Sequence, residues 1–143
     1  MTYATQQDLI DRFGTRMLVA LTDRGETATG AIDTDVVARA LSDTDAVIDG
    51  YLAGRYTLPL SVTSPVIEDI AMSIAIWKLH LSAPDDKVKA DYDQALRSLR
   101  EISVGTVRIP GAAGLEPAGT DGSSARSTDR ERPMTADNLK GFI

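Results

Sequence analysis

Residues 65–81, PVIEDIAMSIAIWKLHL, constrain the fold more than any other stretch. Val66, Ile70, Ile74, Trp77 and Leu81 recur at helical spacing, and Met72, Ile76 and Leu79 make the other sides apolar too. A helix that is apolar nearly all round needs neighbours on more than one side. The spacing therefore predicts a central helix over 65–81, started by Ser64 as N-cap and Pro65 in the first turn. Glu68, Asp69 and Lys78 interrupt it, and it falls short of the ~20 apolar residues that span a bilayer. No membrane role is expected.

The remaining chain supplies the partners. Thr5-Gln-Gln-Asp8 has capping-box spacing and predicts a short helix with Leu9, Ile10 and Phe13 on its apolar side, stopped at Gly14. A second short helix is expected over 15–21, carrying Met17, Leu18 and Leu21, before a turn and loop from Thr22. Asp33 is a good N-cap for a longer helix whose stripe runs through Val37, Leu41, Ile48, Tyr51 and Leu52 and ends near Gly54 or Arg55. Asp43, Asp45 and Asp49 lie largely off that stripe and read as a solvated face. Pro84 opens the last helix, with Val88, Tyr92, Ala95, Leu99 and Ile102 buried and Gly105 as its stop. The expected fold is all-α, a compact bundle of four to five helices, two short and three longer, over residues 1–105.

After Gly105 the composition changes. Val107-Arg108-Ile109 reads as a brief strand. Between Gly111 and Pro133 Leu115 is the only large apolar residue, too little to offset the entropy of ordering such a segment. The chain then ends on Met134, Leu139, Phe142 and Ile143, with Lys140 among them and Arg126, Arg130 and Arg132 just before. Residues 106–143 are therefore expected to form a long irregular C-terminal arm with an apolar tip, 134–143, suited to docking on a partner.

The formal charge is −6, with 16 acidic against 10 basic residues before position 106 and 5 of each after it. Such a body repels nucleic acid. The chain has no cysteine, which removes disulfides, thiolate nucleophiles and zinc–thiolate sites and fits a reducing compartment. The start, MTYATQQDLI, has neither the basic nor the apolar region of a secretory signal. His80 is the only histidine and sits among packing residues, so a structural role is expected for it, as for Trp77. The aspartates at 43, 45 and 49 start like a calcium loop, but its sixth and twelfth positions hold Ile48 and Gly54. No phosphate-binding glycine loop is present. No catalytic, metal or cofactor site is expected, and the chain is not expected to be an enzyme.

Several stretches together carry a resemblance: Tyr3-Ala-Thr-x-x-Asp-Leu-x-x-Arg-Phe-Gly14, Leu21-Thr-Asp23, Ile48-Asp-x-Tyr-Leu-x-x-Arg-Tyr-x-Leu-Pro-Leu60 and Asp137-Asn-Leu-Lys-Gly-Phe142. In this order they resemble the Mu-type phage and prophage head–tail connector (adaptor) family. The resemblance implies a structural virion protein, assembled in the host cytoplasm and resident in the neck. It would form a ring of twelve copies below the portal protein, bridge to the next neck or tail-completion protein, and touch packaged DNA only in passing through the channel. The arm residues Arg126, Arg130, Arg132, Met134, Leu139, Lys140, Phe142 and Ile143 would dock on the portal. In the Ile48–Leu60 stretch, Arg55 is expected to brace a corner against an acid or carbonyl. Tyr56, Leu58, Pro59 and Leu60 are expected to present an edge to a neighbouring subunit. The alternative reading is a small helical DNA-binding protein for packaging initiation or regulation, whose only cations in the first 38 residues are Arg12, Arg16 and Arg24.

Overall fold

A computed structural model describes residues 1–112. Five helices follow one another: α1 (Gln6–Phe13), α2 (Thr15–Thr22), α3 (Thr34–Leu52), α4 (Pro65–Leu79) and α5 (Asp86–Val104). The protein is all-α, with two short and three longer helices and no strand among the described residues.

Local chemistry sets most boundaries. The Thr5 hydroxyl accepts from the Asp8 amide at 3.3 Å while the Asp8 carboxylate accepts from the Thr5 amide at 2.7 Å, so aspartate completes the capping box. Asp33 caps α3 through the amides of Asp35 and Val36. Gly105 ends α5 in the left-handed region at φ 84°, where a side chain would be strained. Other boundaries differ from expectation: α3 stops at Leu52, ahead of Gly54, and α4 at Leu79, ahead of Leu81. Two helix starts also differ in detail. Ser64 occupies the N-cap of α4 but its hydroxyl makes no capping bond; Pro65, lacking an amide hydrogen, already relieves one of the orphan donors there. The last helix begins at Asp86 with Asp85 at its N-cap, two residues beyond Pro84.

Helix α4 is the central element. It packs against both α3 and α5, which also touch each other, while α1 lies across α2, α3 and α4. Its buried residues are Ile67, Ile70, Ala71, Ser73, Ile74, Ala75, Ile76 and Leu79. The expected face is thus only partly right: Ile70 and Ile74 are buried, but Val66 is 49% exposed and Leu81, beyond the helix end, is 77% exposed. Trp77 is half-buried and stacks on Tyr92 of α5 with ring centroids 4.5 Å apart.

Residues 106–109 form no strand. Ile109 instead drops back onto the body and joins the core at 5% exposure. The arm residues from Arg126 to Ile143 lie outside the described residues.

Candidate functional site

The Ile48–Leu60 corner is where the body meets the start of the arm. Helix α3 stops at Leu52, whose carbonyl accepts from both the Arg55 and Tyr56 amides in a tight turn. That turn swings Tyr56 inward. Its ring is buried, and its hydroxyl accepts a 3.1 Å hydrogen bond from the Ile109 amide. Leu60 is buried in the same core, after a cis Leu58–Pro59 bond. Two residues past Ile109 the chain still follows the corner, with Gly111 beside the Val62 side chain. The corner therefore seats residues 106–112 of its own chain. Tyr56 bonds Ile109 of its own chain, and Tyr56 and Leu60 both lie in the core of the body. Leu58 is half-buried and Pro59 exposed.

Arg55 lies at the end of α5. Its guanidinium lies over Gly105, in the space a Cβ at that position would need. It is placed at the carbonyl end of α5, where a positive charge is favourable. Glycine at 105 thus serves both the backbone turn and the stacking of Arg55.

A second long-range link joins the N-terminal segment to α3. The Tyr3 amide donates to Asp45 Oδ1 at 3.0 Å and the Tyr3 hydroxyl to Asp49 Oδ1 at 2.5 Å. Asp45 and Asp49, read from sequence as a solvated face, are half-buried clamps for this segment. Burial, then the Asp49 hydrogen bond, pushes the Tyr3 phenol well above its usual value near 10. Burial also raises the Asp45 carboxyl, against the lowering effect of the Tyr3 amide. Tyr3 holds its proton more tightly folded than unfolded. Its contribution to stability is therefore complete below about pH 10 and is lost as pH rises further, at up to ~1.4 kcal/mol per pH unit. In denaturant titrations at pH 8 and pH 11, Tyr3→Phe should lose stability at the lower pH and show a shallower further loss at the higher one. An unchanged alkaline slope would contradict the clamp.

The Leu21-Thr-Asp23 motif organises the loop into α3. Thr22 is fully buried; its hydroxyl donates to the Leu18 carbonyl at 2.7 Å and accepts from the Asp33 amide at 3.0 Å. The Asp23 carboxylate accepts from the Gly30 and Thr29 amides at 3.0 and 2.9 Å, and these bonds lower its pKa. The motif is structural in every residue the structure assigns a bond.

Cations named for nucleic acid are largely engaged. Arg12 pairs with Asp69, and Arg24 donates to the carbonyls of Leu79 and Leu21. The His80 ring is occupied locally, with Nδ1 2.7 Å from the Ile76 carbonyl. Among the described residues no cluster of three or more acids or histidines could hold a metal ion, and no helix is long and apolar enough to cross a membrane.

The chain matches the family described as Bacteriophage Mu, Gp36 over residues 3–127. It is 34% identical to gene product J of Escherichia phage Mu over the full length of both chains. It is 31% identical to the Mu-like prophage FluMu protein gp36 of Haemophilus influenzae, over 75% of this chain and 74% of that one. The match takes in both the Tyr3 clamp and the Tyr56 corner, so the chain belongs to the bacteriophage Mu Gp36 family and is an all-α phage protein.

Proposed function

We propose that this protein is a structural head–tail adaptor, not an enzyme. Helical bodies pack side by side into a ring, twelve copies on the portal's symmetry, around the DNA channel in the neck of the virion. The ring joins the portal to the next neck or tail-completion protein, and each C-terminal arm docks on the portal. The observation that carries this reading is the anchor at the exit of the arm. Tyr56 and the core burial of Ile109 hold residues 106–112 on the body, so the rest of the arm starts from a fixed point. A fixed exit raises the effective concentration of the tip at its docking site, and a ring multiplies the effect. The acidic body, −6 before position 106, would flank DNA without retaining it. The DNA-binding alternative is disfavoured by the engagement of Arg12 and Arg24 within the fold.

Deleting residues 134–143 should abolish attachment to the portal protein in a pull-down while leaving the helical circular dichroism and melting of the body unchanged. Retained attachment would overturn the docking role of the tip.

A further inference from the structure

We infer that the apolar tip 134–143 rests on the Tyr56 corner of its own chain when no partner holds it. This contact belongs to the free protein and is independent of the adaptor reading.

Two stretches run side by side at the corner. The Arg55 guanidinium lies over Gly105, the Tyr56 hydroxyl bonds the Ile109 amide, and Gly111 lies beside Val62. Residues 55–62 and 105–111 are thus tied at three points. The apolar groups they leave uncovered are gathered there: Pro59 and Pro110 are exposed, Leu58 is half-buried and Val107 is 39% exposed. Val104, next to Gly105, is 69% exposed, and Val66 lies in the first turn of α4, four residues after Val62. Of the five large apolar side chains exposed among the described residues, these three valines therefore flank or line the corner, while Leu81 stands alone beyond the far end of α4. Single exposed apolar residues are ordinary, but several gathered in one place mark a contact.

The chain itself supplies the cover. It passes over the corner as far as Ala112, where the described residues end. Residues 113–133 hold one large apolar side chain, Leu115, and then Met134, Leu139, Phe142 and Ile143 come within ten residues. Fully extended, 113–133 spans up to about 70 Å, against ~28 Å for a helix the length of α5, so the tip returns to the corner without strain. The entropy cost of closing the loop grows only with the logarithm of its length. Such a tether presents the tip at an effective concentration on the order of millimolar, which a second copy at ordinary concentrations does not match. The corner carries Arg55 and Arg108 with Glu101, and the tip carries one Asp137 and one Lys140, so charge adds little. Burial of apolar surface is the attraction. The contact protects residues 105–112 rather than the bundle, so it is read locally and not in the melting of the body. A partner that takes the tip must first displace it from the corner.

The chain has no cysteine, so Thr135→Cys places a nitroxide on the tip alone in the full-length protein. Paramagnetic broadening of amide signals is expected at residues 104–109 and 60–62 and not at Leu81. In a mixture of nitroxide-bearing protein without isotope and isotope-labelled protein without nitroxide, no broadening is expected. Val107→Asp, at an exposed position, should reduce the broadening severalfold, and Leu81→Asp should leave it unchanged. Broadening absent, or centred on another surface, would overturn the inference. Broadening in the mixture would give the corner to a second copy and overturn it too, as would equal effects of the two aspartate variants. The adaptor reading is judged separately, by the pull-down with residues 134–143 deleted.

Discussion

Ile74→Ala should remove about 3–4 kcal/mol of folding stability, a large share of the ~5–15 kcal/mol typical of a domain. Ile74 is fully buried on the helix that α3 and α5 both pack against, so neither neighbour can collapse into the space without leaving the other. A cavity that cannot relax costs the transfer energy and the lost contacts together. Val66→Ala and Leu81→Ala remove comparable side chains from the same sequence stripe but from exposed positions, and each should stay within about 0.5 kcal/mol of the unmodified protein. Chemical denaturation of the three variants checks the contrast. Equal losses would mean that α4 is not the centre of the bundle.

Tyr56→Phe is the second change with a large expected effect, and its effect is local. The ring stays in place, but the buried Ile109 amide loses its acceptor, at a cost of about 1–3 kcal/mol. That cost falls on a short segment otherwise held by Ile109 burial, the Val107 amide bonding the Glu101 carbonyl, and the packing of Gly111 and Ala112. The start of the arm should detach well before the body unfolds. Hydrogen exchange at residues 106–109 should accelerate by tenfold or more while the α4 amides keep their protection. Unchanged exchange at Ile109 would mean that the tyrosine hydroxyl does not anchor the arm. Tyr56→Ala would confuse the test, because loss of the buried ring costs about 3–5 kcal/mol in the core itself.

The helices, and those ends set by neighbouring residues, were legible because their causes are local. The Thr5 box, the Asp33 cap and the Gly105 stop each act within a few residues of themselves. The buried face of α4 was not legible, for the same reason that α4 is central. A helix apolar on every side carries no phase, and the contacts with α3 and α5 choose Ile67 over Val66 and end the packing at Leu79. Asp45 and Asp49 read as solvated because Tyr3, the group that binds them, lies 42 and 46 residues away. Tyr56 read as an edge because its partner, the Ile109 amide, lies 53 residues downstream. A sequence signal existed in both cases: a tyrosine near a boundary brings an apolar ring and one polar tip, which find a core and a partner together. The arm's docking residues lie outside the described part of the chain, so their role rests on composition and family resemblance.

The central claim is that this protein is a ring at the head–tail junction. An image of the neck of the assembled particle, at a resolution that separates helices, tests it most directly. The account predicts a ring of five-helix bodies directly below the portal, one body per portal subunit, with a chain segment rising from each Tyr56 corner to the portal. A neck built without this protein, or the protein found elsewhere in the particle, would contradict it.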